Sequence, residues 1–145
     1  MRGRFAGIVF AASVLAASGA QALDMDKVKA RTLPVDGTPE QAETCASAMM
    51  LTAGLLKDPA NGGTPQLQAK FQEAAQMWVR AYADRASITT DQQKADYVNA
   101  MLLPDEHAWQ ATDFATYSYF RAYCENETDK LPAMQALNGL ARPSN

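Results

Sequence analysis

The chain has 145 residues, 13 basic and 16 acidic side chains and a formal net charge of −3. A chain of that length holds one domain around one core. Its acidic balance, with the carboxylates scattered along the sequence, excludes the basic footprint of a nucleic-acid or anionic-membrane binder.

Arg2 and Arg4 precede an uncharged apolar run, residues 5–17, which ends at Ser18-Gly19-Ala20-Gln21-Ala22. The run is short of the roughly 20 residues that span a bilayer. A positive start, a short apolar stretch and small residues at Ala20 and Ala22 predict a signal peptide, residues 1–22, cut after Ala22. No cysteine follows the run to carry a lipid anchor. The expectation is a periplasmic or secreted protein with no membrane span left after cleavage. Loss of Arg2 and Arg4 leaves 11 basic and 16 acidic residues, a net charge of −5.

Residues 23–37 lack a clear period and read as an N-terminal arm, extended or partly disordered, ending in the turn Val35-Asp36-Gly37. Residues 38–145 read as the helical domain. Three segments open with helix-start signals: Thr38-Pro39-Glu40-Gln41, Thr64-Pro65-Gln66-Leu67 and Thr90-Asp91-Gln92-Gln93. In each, a threonine side chain can accept a free backbone N–H of the first turn. Gln41 and Gln93 stand where a side chain can reach back to the cap, and proline is tolerated at the first helical position.

Helix one is expected over 39–57, with Cys45, Met49, Thr52 and Leu56 on one stripe, and stops at Asp58-Pro59-Ala60-Asn61-Gly62-Gly63. Helix two is expected over 65–86, with Leu67, Phe71, Ala74, Trp78 and Tyr82 at helical spacing. Helix three covers 91–103, and Pro104 closes it or starts the next. Helix four covers 105–126, with Asp105 and Glu106 in its first turn, where the helix dipole favours them. Its inner stripe reads Asp113, Tyr117, Phe120, Cys124. A short helical segment, 131–139, then offers Leu131, Met134, Leu137 and Leu140 to the bundle. The fold class expected is all-α: a four-helix antiparallel bundle with a short C-terminal helical segment. Short loops favour antiparallel neighbours.

Cys45 and Cys124 are the only cysteines. In an oxidising compartment they are expected to pair, joining helices one and four. Closing a loop of that length stabilises by about 4–5 kcal/mol in the chain-entropy account.

No catalytic constellation is legible. His107 is the only histidine and reads as an exposed surface residue, and no Gly-x-Ser-x-Gly occurs. Two cysteines and one histidine, far apart, make a poor zinc set. There is no Glu-x-x-His motif, and Asp24-x-Asp26 lacks the rest of a calcium loop. No Cys-x-x-Cys-His is present for covalent haem, and His107 stands at a different height from Met49 and Met50 on antiparallel helices. No metal and no cofactor are expected. Asn126-Glu127-Thr128 fits a glycosylation acceptor, relevant only to a eukaryotic secretory route.

Asp113 is the polar residue on an apolar stripe. It reads as a buried hydrogen bond or ion pair, with Arg80 or Arg121 as partner, and alternatively as the polar group of a pocket. The aromatics Trp109, Phe114, Tyr117, Tyr119, Phe120 and Tyr123 cannot all face one core, since Tyr119 lies about 200° around the helix from Tyr117. They either pack between several helices or leave an exposed patch of the kind enriched at protein contacts. The candidate contacts are Trp109, Tyr119 and Tyr123. The function expected is binding to another envelope protein, as an inhibitor, immunity factor or envelope-stress factor. The alternative is a carrier of a small apolar ligand held between the helices. An enzyme of unfamiliar type would instead show a concave pocket holding a perturbed Asp or His.

Overall fold

The computed structural model describes residues 23–141, with side chains up to residue 139. The expected signal peptide and the packing of Leu140 lie outside the described residues. Among the described residues all regular structure is helical, and none of the helices is long and apolar enough to cross a membrane.

The arm is more ordered than its sequence suggests. It begins with a one-turn helix, α1 (Met25–Lys29), capped by Asp24, whose carboxylate accepts the N–H groups of Asp26 and Lys27. Val28 is buried and anchors it. Residues 30–38 then form a strap that turns at Arg31, in the left-handed region with φ 54°, a conformation that costs a non-glycine residue energy.

Helix α2 (Pro39–Leu55) starts at Thr38, which accepts the N–H of Gln41. From Gln41 to Met49 every residue is buried, so this helix has no solvent face there. The expected stripe of Cys45, Met49, Thr52 and Leu56 is inside, and from Gln41 to Ala53 every other residue except the half-buried Met50 is inside as well. Small residues, Ala42, Ala46, Ser47 and Ala48, allow neighbours to approach on all sides. The buried hydroxyls return their protons to the helix itself: Thr44 to Glu40, Ser47 to Glu43 and Thr52 to Ala48.

The following loop folds back tightly over the end of α2. A Cβ at Gly63 would sit 1.9 Å from the carbonyl oxygen of Leu56, so only glycine fits. Helix α3 (Pro65–Arg85) carries Phe71, Ala74, Trp78 and Tyr82 inward as its period predicts, with Leu67 half-buried. At its end Arg85 donates to the carbonyl of Thr38, which places the end of α3 at the start of α2.

The third expected helix does not stop at 103. Helix α4 (Asp91–Tyr97) opens with a complete capping box between Thr90 and Gln93. It passes through a π-helical turn, Val98–Leu102, into α5 (Leu103–Gln110). Pro104 explains the turn: in an α-helix its ring would strike the carbonyl of the residue four back. Widening the helix, so that the N–H of Leu103 reaches Val98, carries the proline without ending the helix. The true break falls at Ala111-Thr112-Asp113. Helix α6 (Phe114–Lys130) follows, then α7 (Pro132–Ala141). The stretch expected as helix four, 105–126, is therefore divided between α5 and α6.

Helix α2 packs against α3, α5 and α6, and α7 leans on α6. The Cys45–Cys124 disulfide joins α2 to α6, with Cα atoms 5.2 Å apart. The hydroxyls of Thr52 and Tyr117 meet a second time between the same helices. The seven-residue step from 45 to 52 is thus matched by the seven-residue step from 124 to 117, in reverse order.

Replacing both cysteines by alanine is expected to cost about 2–5 kcal/mol in denaturant unfolding. Unreduced protein should give no thiol labelling, whereas two reactive thiols would break the assignment.

Candidate functional site

Two surface features and one buried cluster are candidates, and the polar bonds of the core decide which residues can take part. Trp109, on α5, is 1% exposed. Its indole N–H donates to the Ser47 hydroxyl at 2.9 Å, and its ring meets Tyr117 and Phe120. It is therefore a core residue, and its expectation as a surface contact is corrected. The reason is the helix boundary: Trp109 precedes the break at 111–113, so it follows the phase of α5 and not that of α6. Trp78 on α3 does the same job elsewhere, donating to Thr128 at 2.8 Å. Thr128, the hydroxyl residue of the Asn126-Glu127-Thr128 motif, is accordingly buried inside α6.

Asp113 is also corrected. It is exposed, caps α6 by accepting the N–H of Thr116 at 2.9 Å, and belongs to no stripe. That N–H holds its carboxyl below the usual range. Arg121 pairs with Glu125 instead. His107 is exposed on α5.

The strap runs along α6 and makes the first surface feature. Arg31 stacks over Tyr119, with its guanidinium 5.5 Å from the ring centre. Tyr123 is half-buried; its hydroxyl accepts from Gln41 at 3.0 Å and donates to Asp36 at 3.4 Å. Gln41 is the hub. Its amide nitrogen also donates to Asp36, and its oxygen accepts from Gly37 N–H at 2.9 Å and from Arg85 at 3.0 Å. The glutamine expected to close a capping box on Thr38 instead ties strap, α2, α3 and α6 together. Tyr123 positions the strap, while Tyr119 is 38% exposed. Phe114, absent from the sequence candidates, is 77% exposed, and Val35 on the strap is 70% exposed. Phe114 was hidden in the sequence because it falls in mid-helix when helix four is drawn from 105 to 126.

The second surface feature is a cleft of about 580 Å³, where Met50, Ala53, Val79 and Leu102 meet Arg80 and Glu106.

The buried cluster was not legible in the sequence. Glu43 from α2 and Asp105 from α5 are 2% and 3% exposed. Tyr97 from α4 faces them, stacked on Tyr82 from α3 at 4.2 Å. The backbone N–H of Leu23 donates to Asp105 Oδ1 at 3.1 Å. Among the described residues both oxygens of Glu43, Oδ2 of Asp105 and the Tyr97 hydroxyl make no well-formed hydrogen bond, although Asp105 and Tyr97 stand near enough to Glu43 to shift its titration. Among the described residues no ion pair reaches either carboxyl. Burial, reinforced by Asp105, pushes Glu43 up to about 9. Burial likewise raises Asp105, Tyr97 and Tyr82. With an amide at Leu23, Glu43 therefore keeps its proton at neutral pH. The one available signal was the run of small residues flanking Glu43, which implies a helix covered on every side.

Neither carboxyl lines the cleft. Among the described residues no three His, Cys, Asp or Glu side chains converge as a metal site. No family model, curated protein or solved structure matches the chain.

Trp109→Ala is expected to cost about 3–5 kcal/mol in urea unfolding, from the cavity it leaves. Trp109→Phe should cost only about 1 kcal/mol, mostly for the lost bond to Ser47. The Glu43 value lies above its ordinary 4.5, so protonation favours the fold. Its contribution is complete below pH 4.5 and is lost as pH rises toward 9. In a chain that keeps a residue ahead of Leu23, Glu43→Gln should flatten that decline, measured by denaturant titration at pH 5 and pH 8.

Proposed function

We propose that the chain is an exported protein, cut after Ala22 and folded as a four-helix antiparallel bundle. It acts by binding another envelope protein, as an inhibitor, immunity factor or envelope-stress factor. Export is supported by the charge and apolar pattern of residues 2–22 and by a disulfide suited to an oxidising compartment. The antiparallel order is supported by the reversed matching of 45 and 52 with 124 and 117, and by Arg85 reaching Thr38.

The observation that carries the binding reading is the set of exposed apolar side chains on the strap and α6. Phe114 and Val35 are mostly solvent-facing, and Leu33 and Tyr119 are exposed over about two fifths of their surface. Tyr119 lies under the Arg31 guanidinium, and tyrosine and arginine are the residue types that dominate protein contacts. The strap that carries Val35 and Leu33 is tied down by Gln41 through Asp36 and Gly37, and a surface ordered before it meets a partner lowers the entropy cost of binding.

A second reading, a carrier of a small apolar ligand, is favoured by the cleft between α2, α3 and α5. Its volume falls in the range of about 300–1,000 Å³ typical of ligand sites.

The test is capture of partners by tagged, oxidised mature protein from its own envelope extract, followed by substitution. Tyr119→Ala and Phe114→Ala are each expected to reduce recovery of the captured protein several-fold. Their unfolding free energy should stay within about 0.5 kcal/mol of the parent. Leu137→Ala, on exposed α7 surface, should leave recovery unchanged. Recovery insensitive to both aromatic substitutions would sink this contact face. Native mass spectrometry showing a small molecule on the bait, and no protein, would favour the carrier.

A further inference from the structure

Four helices converge on Glu43, Asp105, Tyr97 and Tyr82, and the group that enters this cluster from the chain's N-terminal side is the nitrogen of Leu23. Leu23 is the residue that follows the expected cleavage site. We propose that the cluster is the receptor for the amino terminus of the processed chain, with Asp105 and Glu43 holding the Leu23 α-ammonium as a buried ion pair. The proposal rests on the export reading above, because only cleavage after Ala22 creates that group.

The chemistry balances simply. A signal peptidase adds water across the Ala22–Leu23 peptide bond. Ala22 leaves as a carboxylate, and the freed Leu23 amine takes up a proton. An amide nitrogen offers one N–H, which is already given to Asp105 Oδ1 at 3.1 Å. An ammonium offers three. Among the described residues Asp105 Oδ2 and the oxygens of Glu43 make no well-formed hydrogen bond, and one of these oxygens carries the proton the acids share, so the cut supplies two further donors to the pair.

The charges agree as well. A buried carboxylate without a cation is costly, and no lysine, arginine or histidine among the described residues pairs with either acid. One ammonium balances one negative charge, which is a carboxyl pair sharing a single proton. Tyr97 and Tyr82, the other titratable groups facing the site, stay neutral, since burial raises both. Leu23 is held from its other side by the Asp24 cap of α1 and by Val28 in the core. Among the described residues no cation balances the acid pair, and on this proposal cleavage supplies one.

The experiment compares two chains. One is made with its full N-terminus and recovered after export, and the other is made without export, with a methionine retained ahead of Leu23 and its disulfide formed in vitro. Intact mass gives the first residue of the exported chain, expected to be Leu23. Its α-amine should titrate well above the ordinary amino-terminal value of about 8. It should also resist acylation until the protein unfolds. The exported chain should have an unfolding constant smaller than that of the methionine-extended chain by roughly tenfold or more. Asp105→Asn should erase both differences; should that variant not fold, the extended chain with intact acids still decides. A mature chain beginning elsewhere overturns the cleavage site, and the receptor with it. A chain beginning at Leu23 whose amine reacts and titrates ordinarily, and whose stability matches the extended form, overturns the receptor alone and leaves export standing.

Discussion

Helix α2 has no solvent face between Gln41 and Met49, and the rest of the structure follows from that constraint. A helix covered on all sides needs small residues so that neighbours can approach. It also needs an internal answer for each polar group it carries. Ser47 shows how this is done. Its hydroxyl donates to the backbone of Glu43 and accepts from the Trp109 indole, so one small side chain both satisfies itself and fixes the heaviest residue of α5. Thr128 repeats the arrangement between α6 and Trp78. The disulfide then locks α2 against α6 at a level where both cysteines are fully buried.

The π-turn at Val98–Leu102 decides the fate of the aromatic residues. By absorbing Pro104 it extends the helix to Gln110 and moves the break to 111–113. That break puts the aromatics before and after it on different helical phases. Trp109, Tyr117 and Phe120 go inward, and Phe114 and Tyr119 are left outside. The surface on which the binding reading rests is thus a consequence of where one proline is accommodated.

The same central helix sends out its two most consequential polar side chains in opposite roles. Gln41 is saturated by Gly37, Asp36, Tyr123 and Arg85, and it pins the strap. Glu43, two residues on, makes no well-formed hydrogen bond among the described residues and faces another buried acid. A native core leaves few such groups unanswered, and this contrast within one turn of helix directs attention to Leu23.

The sequence by itself determined the helical class, the threonine caps, the glycine-bound loop after α2 and the pairing of Cys45 with Cys124. Each of these rests on local chemistry: a side-chain oxygen near free N–H groups, a run of turn-forming Asp, Pro, Asn and Gly, or two thiols with no other partner. Only the tertiary structure decided that Asp113 is a cap, that Trp109 is core, that Gln41 is a hub and that Glu43 meets Asp105. Helical spacing reports which residues share a face, but not whether a second helix covers the opposite face. Nor does it tell whether a proline will end a helix or widen it. Those outcomes depend on the energy of packing several elements at once, and that energy is written in no single segment.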